Sequence, residues 1–93
     1  MEIENLLWLP ANEGKLLGHG ISRNEVDTLV LRGEWAVYRH DDYPVQVRIV
    51  GPTPTGRLIT VALDPTDDPK VWRPVTGWPS SEWETAYYWE EYR

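Results

Sequence analysis

The sequence predicts an α+β domain: a small antiparallel sheet, formed by an N-terminal strand and a three-strand meander, carrying two N-terminal helices and one C-terminal helix. Three observations predict it. Helix-start signatures stand at Ser22 and Ser81, apolar residues recur with period two or in short runs between 45 and 76, and turns rich in Gly, Pro and Asp divide those runs. At 93 residues the chain makes a single domain, spanning 1–93, because two stable cores do not fit in this length.

The elements follow in order. Asn5 to Leu9 is a short apolar run closed by Pro10, suited to a strand. Pro10 then opens a helix over Ala11 to Leu17, with Gly18 or Gly20 as its stop. Ser22 and Glu25 have the spacing of a capping box, and Ile21 with Val26 that of a hydrophobic staple. Val26, Leu29 and Val30 continue the apolar stripe of a helix over 23–32, which Gly33 ends. A connection containing Trp35 and Tyr38 leads to a turn at Asp41 to Pro44. Beyond it Val45, Val47 and Ile49 alternate with Gln46, Arg48 and Val50. Gly51 to Gly56 reads as a hairpin loop, and Arg57 to Leu63 as a central strand buried on both faces. Val71 to Thr76 is the third strand of the meander, with Pro74 marking an edge or a bulge. Ser81 and Glu84 form a second capping box before a helix in which Trp83 and Tyr87 pack on the sheet. Its offset pair, Tyr88 and Tyr92, faces a partner, and Arg93 sits at its negative end. All three helices are expected on one face of the sheet.

Charge narrows the function. Fifteen acidic residues against nine basic give a net charge of −6, which opposes nonspecific nucleic-acid binding over the whole surface. The acidity lies at the ends: residues 1–14 and 82–93 each carry −3, whereas 15–57 carry +1. Arg48 and Arg57 are the only charges from Pro44 to Leu63, so a local cationic site fits inside an acidic envelope. There is no cysteine, which removes disulfides, thiolate metal sites and cysteine nucleophiles. No basic leader and no apolar run of membrane-spanning length is present, so a soluble cytoplasmic protein with no membrane partner is expected.

Several chemistries are poorly supported. His19 and His40 lack a helical i, i+4 histidine partner, and the paired aspartates at 41–42 and 67–68 lie in turns, so no metal or other cofactor is expected. Ser22, Ser80 and Ser81 are employed at helix caps. The chemistry left open is phosphodiester cleavage by an RNA 2′-hydroxyl, which needs a proton acceptor and fixed cations near the phosphate oxygens. Arg57 and Arg73 are candidates for the cations and His19 for proton transfer. Arg48, Trp72 and Trp78 are candidates for holding RNA, the tryptophans by stacking on bases.

The residue order also carries a resemblance. Trp8-x-Pro10-Ala11, then Leu16-x-x-His19-Gly20-Ile21-Ser22-x-x-Glu25, a strand ending at Gly51, Gly56-Arg57-Leu58, Trp72-Arg73-Pro-Val-Thr-Gly77, and a terminal helix with Glu84 and Tyr88 together resemble the BrnT family of type II toxins. That resemblance implies a RelE-like ribonuclease fold, metal-independent RNA cleavage through arginines on the sheet, and a ribbon-helix-helix antitoxin covering the active surface in a hetero-oligomer. By matching position it implicates Arg57, Arg73 and His19. The chain departs from the family pattern at Gly18, where a lysine is usual, at Thr76-Gly77-Trp78, where an arginine is usual, and in its acidic terminal helix. Each departure removes a cation that would hold RNA. Two other readings therefore stand beside the ribonuclease: a noncatalytic module gripping a basic partner with its acidic, aromatic terminal helix, and an inhibitor imitating nucleic-acid charge.

Overall fold

The computed structural model describes residues 1–92, so Arg93 and its expected place at the end of the last helix lie outside the described residues. In chain order the elements are β1 (Asn5–Leu6), α1 (Pro10–Gly18), α2 (Arg23–Arg32), β2 (Ala36–Tyr38), β3 (Val47–Pro52), β4 (Leu58–Pro65), β5 (Val71–Pro79) and α3 (Glu82–Glu91). The class is α+β, with the sheet ordered β1-β5-β4-β3-β2.

Local chemistry builds the helices as the sequence predicts. Both capping boxes form: the Ser22 and Ser81 side chains accept from the backbone N–H of Glu25 and Glu84, and those carboxylates reach back to the serine amides. Gly33 ends α2 in the left-handed conformation, φ 69°, where any side chain would be strained.

The sheet differs from expectation in three respects. A fifth strand, β2, pairs Ala36, Val37 and Tyr38 antiparallel with Val50, Ile49 and Arg48. Three residues are too few to display a period. Secondly, β1 runs parallel to β5, with Asn5 opposite Val71 and Leu6 opposite Trp72. Its partner comes from the far end of the chain, and the α1–α2 connection leads instead to β2 at the opposite edge of the sheet, so no local signal encodes the pairing. Thirdly, the helices divide between the two faces of the sheet. Val47, Ile49, Ile59, Val61 and Leu63 point toward Leu16, Ile21, Val26 and Leu29 of the α1–α2 layer, forming the main core. The intervening residues point the other way, and Val50 packs there with Ala36 and Tyr88 under α3.

Two glycines allow this packing. A Cβ at Gly77 would stand 3.0 Å from Leu16 Cδ2 and 2.9 Å from the Thr60 carbonyl oxygen. At Gly51 it would stand 2.5 Å from Leu29 Cδ1 and 2.8 Å from the Glu34 carbonyl oxygen, where the chain crosses from α2 to β2. On β5 the register shifts between Ala62 and Leu63: Ala62 faces Thr76 and Leu63 faces Pro74, leaving Val75 as the extra residue of a bulge beside Pro74.

Because Glu34 contributes backbone to that contact, Gly51→Ala cannot be relieved by a rotamer change alone. It should lower stability by about 1–3 kcal/mol, seen as a lower urea midpoint at constant slope. An unchanged midpoint would show that the α2–β2 crossing is not held against β3.

Candidate nucleic-acid interface

Strand alternation places Gln46, Arg48, Asp64, Arg73 and Trp78 on the α3 side of the sheet, beyond the area that α3 covers. They form a continuous polar strip. Arg48 Nε donates to Gln46 Oε1 at 3.4 Å, Gln46 Nε2 donates to Asp64 Oδ1 at 3.1 Å, and Arg73 Nη2 donates to Asp64 Oδ2 at 3.0 Å. Arg73 Nη1 also donates to Asn12 Oδ1 at 3.2 Å, tying the strip to the first turn of α1.

Arg48 is the distinctive member. Its guanidinium carbon lies 5.1 Å from the Trp78 ring centroid, 5.5 Å from Tyr43 and 6.0 Å from Tyr38. Three aromatic faces therefore hold one cation. Among the described residues no carboxylate lies within ion-pair distance of it. The loop that supplies Tyr43 also supplies His40, whose ring is 5.7 Å from that of Tyr43. His40 Nδ1 accepts the Asp42 backbone N–H at 3.1 Å, which leaves Nε2 as the nitrogen available for proton exchange.

Two of the three aromatic walls, Tyr38 and Trp78, are themselves fixed by one carboxylate. Glu84 is 1% exposed, yet it accepts from the Tyr38 hydroxyl at 2.5 Å, the Trp78 indole N–H at 3.0 Å and the Ser81 backbone N–H at 2.8 Å. Burial alone would raise its pKa; the Ser81, Tyr38 and Trp78 hydrogen bonds outweigh burial and hold it below the ordinary carboxyl range. Burial and the bond to Glu84 push the Tyr38 hydroxyl up to about 12, so Tyr38 remains a donor.

Arg57 and Arg73, expected to converge on one phosphate, do not. Arg57 lies immediately before β4 and Arg73 opposite Asp64 near its end, a separation of about 23 Å along the strand at roughly 3.3 Å per residue. The Arg57 guanidinium turns toward α2, where Nη2 donates to both Glu25 oxygens at 3.1 Å and to the Gly20 carbonyl oxygen at 2.6 Å. It thereby braces the α1–α2 junction. For Glu25, burial again raises the pKa, but the Ser22 amide and Arg57 outweigh it, for a net shift downward.

His19 follows α1, exposed, one residue before the carbonyl that Arg57 holds, so it too is remote from Arg48. Trp72 packs against the main core on the α1–α2 face, opposite Trp78, and is not placed to stack on the same strand of RNA. Tyr88, expected to face a partner, is 4% exposed in the core under α3. Tyr92 stacks on it at 4.8 Å and donates to the Trp35 carbonyl oxygen. Tyr92, just past the end of α3, is nonetheless 39% exposed, and the exposed aromatics within the helix are Trp83 and Trp89, because turning Glu84 inward rotates the helix away from the phase that apolarity alone suggests.

A concavity of about 430 Å³ lies elsewhere, between β1 and α2, lined by residues including Ile3, Leu6, Trp8, Val30 and Leu31. None of the candidate residues lines it, so its size is no guide to the site. Among the described residues no three His, Asp or Glu side chains cluster as metal ligands, and no helix is long and apolar enough to cross a membrane.

No family model matches the chain, and no curated protein matches it. Among solved structures, the Brucella abortus ribonuclease toxin BrnT is similar, with a TM-score of 0.63 at 14% identity over 84% of this chain and 97% of that one. The chain has a BrnT-like fold.

The buried carboxylate gives a pH signature. Since the folded-state pKa of Glu84 is depressed, its contribution to stability is present above the ordinary value of about 4.3 and is lost as pH falls through the folded value. Glu84→Gln should reduce stability at neutral pH by about 1–3 kcal/mol, and the gap between variant and parent should narrow in acid. A gap in denaturation midpoint that stays constant down to pH values below about 3 would contradict this account.

Proposed function

We propose that this chain is a ribonuclease toxin whose RNA site is the Arg48 strip rather than the Arg57 region. The observation that carries the reading is a guanidinium without a carboxylate partner, held by three aromatic rings on an uncovered part of a sheet with a BrnT-like fold. In a molecule of net charge −6, a local cation of this kind is where a phosphate finds favourable potential.

The geometry supports a division of roles. Arg48 binds the nonbridging oxygens of the scissile phosphate, where negative charge grows as the 2′-oxygen attacks. His40 exchanges the proton: the 2′-hydroxyl loses one as its oxygen bonds to phosphorus, and the departing 5′-oxygen gains one as its bond to phosphorus breaks. Tyr43 and Trp78 offer half-exposed ring surface on which flanking bases stack. Arg73, bonded to Asp64, extends the strip for a neighbouring phosphate. None of these roles requires a metal ion. The sequence resemblance extends the proposal to a cytoplasmic toxin neutralised by a ribbon-helix-helix antitoxin that covers the Arg48 face in a hetero-oligomer.

A second reading, a noncatalytic interaction module, is favoured by a specific observation: Arg57 and Arg73, two of the sequence-implicated cations, are each engaged with a carboxylate.

Cleavage of a labelled single-stranded RNA in the presence of EDTA separates the readings. Under the ribonuclease reading the parent cleaves, and Arg48→Ala loses about 10²- to 10³-fold in rate while melting near the parent temperature. Arg57→Ala melts earlier but cleaves normally per folded molecule. No cleavage by the parent favours the interaction module; loss confined to Arg57→Ala returns the site to the α1–α2 junction.

A further inference from the structure

The outward face of α3 is used neither by the core nor by the Arg48 strip. Glu82, Trp83, Ala86, Trp89 and Glu90 are all exposed, while Glu84 and Tyr88 point inward. At 100° per residue the five exposed positions occupy a band about 120° wide. Ala86 lies at its centre and an indole at each border, with one carboxylate between Ala86 and each indole. Trp83 and Trp89 are 56% and 51% exposed, and both are braced from beneath. Trp83 meets Tyr38 edge-on at 4.8 Å, and Trp89 meets Tyr88 edge-on at 5.1 Å.

Charge decides what such a face receives. Among the described residues no lysine or arginine lies within ion-pair distance of Glu82, Glu90 or Glu91, and the charge of Glu34 acts on Tyr88 of the same helix and adds to the acidity there. Nucleic acid is repelled here. A second copy of the chain, itself −6, would bring the same carboxylates together and is disfavoured for the same reason. Two half-buried indoles with carboxylates between them suit a cation that is stacked and paired at once. The small side chain at the centre lets a second helix approach closely.

We propose that the outward face of α3, centred on Ala86 between Trp83 and Trp89, docks an arginine-bearing amphipathic helix of a partner protein. The partner's guanidinium groups stack on the two indoles and pair with Glu82 and Glu90, and its small residues lie over Ala86. This surface adjoins the RNA strip at Tyr38, whose ring meets both Trp83 and the Arg48 guanidinium, but it does not depend on the ribonuclease reading.

The test uses the full chain and a synthetic amphipathic helical peptide with arginine along one face, followed by tryptophan fluorescence at low and high salt. Saturable binding is expected, weakened by salt and by about tenfold or more in the Glu82→Lys, Glu90→Lys double variant. The same peptide with glutamate replacing arginine should not bind. Both substituted residues are exposed, and a circular-dichroism melt confirms that the variant is folded. Absence of saturable binding, equal binding of the glutamate peptide, or binding indifferent to the double variant overturns the proposal. So does a dimer in sedimentation that Trp89→Ala dissolves, since it would assign the face to self-association.

Discussion

One buried carboxylate organises the α3 side of this protein. Glu84 is removed from water, and an ionised carboxylate there is tolerated only because several donors converge on it. Those donors come from β2, from β5 and from the helix's own cap, so a single charge fixes three elements relative to one another. The consequences spread outward. The rotation of α3 follows, which puts Tyr88 into the core and Trp83 and Trp89 into solvent. The orientations of Tyr38 and Trp78 follow as well, and these are two of the three surfaces that hold Arg48.

Arginines in an acidic protein are drawn to carboxylates: among the described residues Arg23, Arg57 and Arg73 are paired with one, whereas Arg32, Arg39 and Arg48 are not, and of these three Arg48 is the one held on the sheet by aromatic rings. Arg57 completes the coordination of Glu25, whose other partner is the Ser22 amide, so it extends a helix cap into a tertiary bond between the β3–β4 hairpin and α2. Arg73 is held by Asp64 and Asn12. Arg48 instead rests on ring faces, which attract a cation without neutralising it. A phosphate arriving at Arg48 need not displace a resident anion.

The sequence made the helices legible because their signals are local: Ser22 with Glu25, Ser81 with Glu84 and Gly33 each act within one turn. The β3–β5 meander was legible for a related reason: the period of two in β3, the unbroken apolar run of β4 and the turns between the strands are all local. What escaped were features decided between distant residues. β2 is three residues long and exists through its pairing with β3. The parallel sense of β1 depends on a strand from the far end of the chain, and the division of helices between the two faces depends on the connections that leave the sheet. The candidate site was partly legible: Arg48 and Trp78 are read as RNA contacts from composition, and they do meet on the sheet. Arg57 and Arg73 are adjacent in the hairpin order but lie at opposite ends of β4, which spacing alone cannot reveal. His40 carries no sequence signal beyond its place beside an aspartate turn; what links it to the site is Tyr43, whose ring neighbours both His40 and Arg48. Glu84 reads as a capping residue, and its second role, binding Tyr38 and Trp78, becomes visible only when β2 and β5 are brought beneath α3.

The claim that the caged arginine marks the working surface is tested most directly by side-chain ¹⁵N resonances. Titration with a short single-stranded oligoribonucleotide should move the Arg48 Nε and Trp78 Nε1 signals together and leave those of Arg57 and Trp72 in place. Movement of Arg57 with Arg48 and Trp78 unaffected would contradict the account.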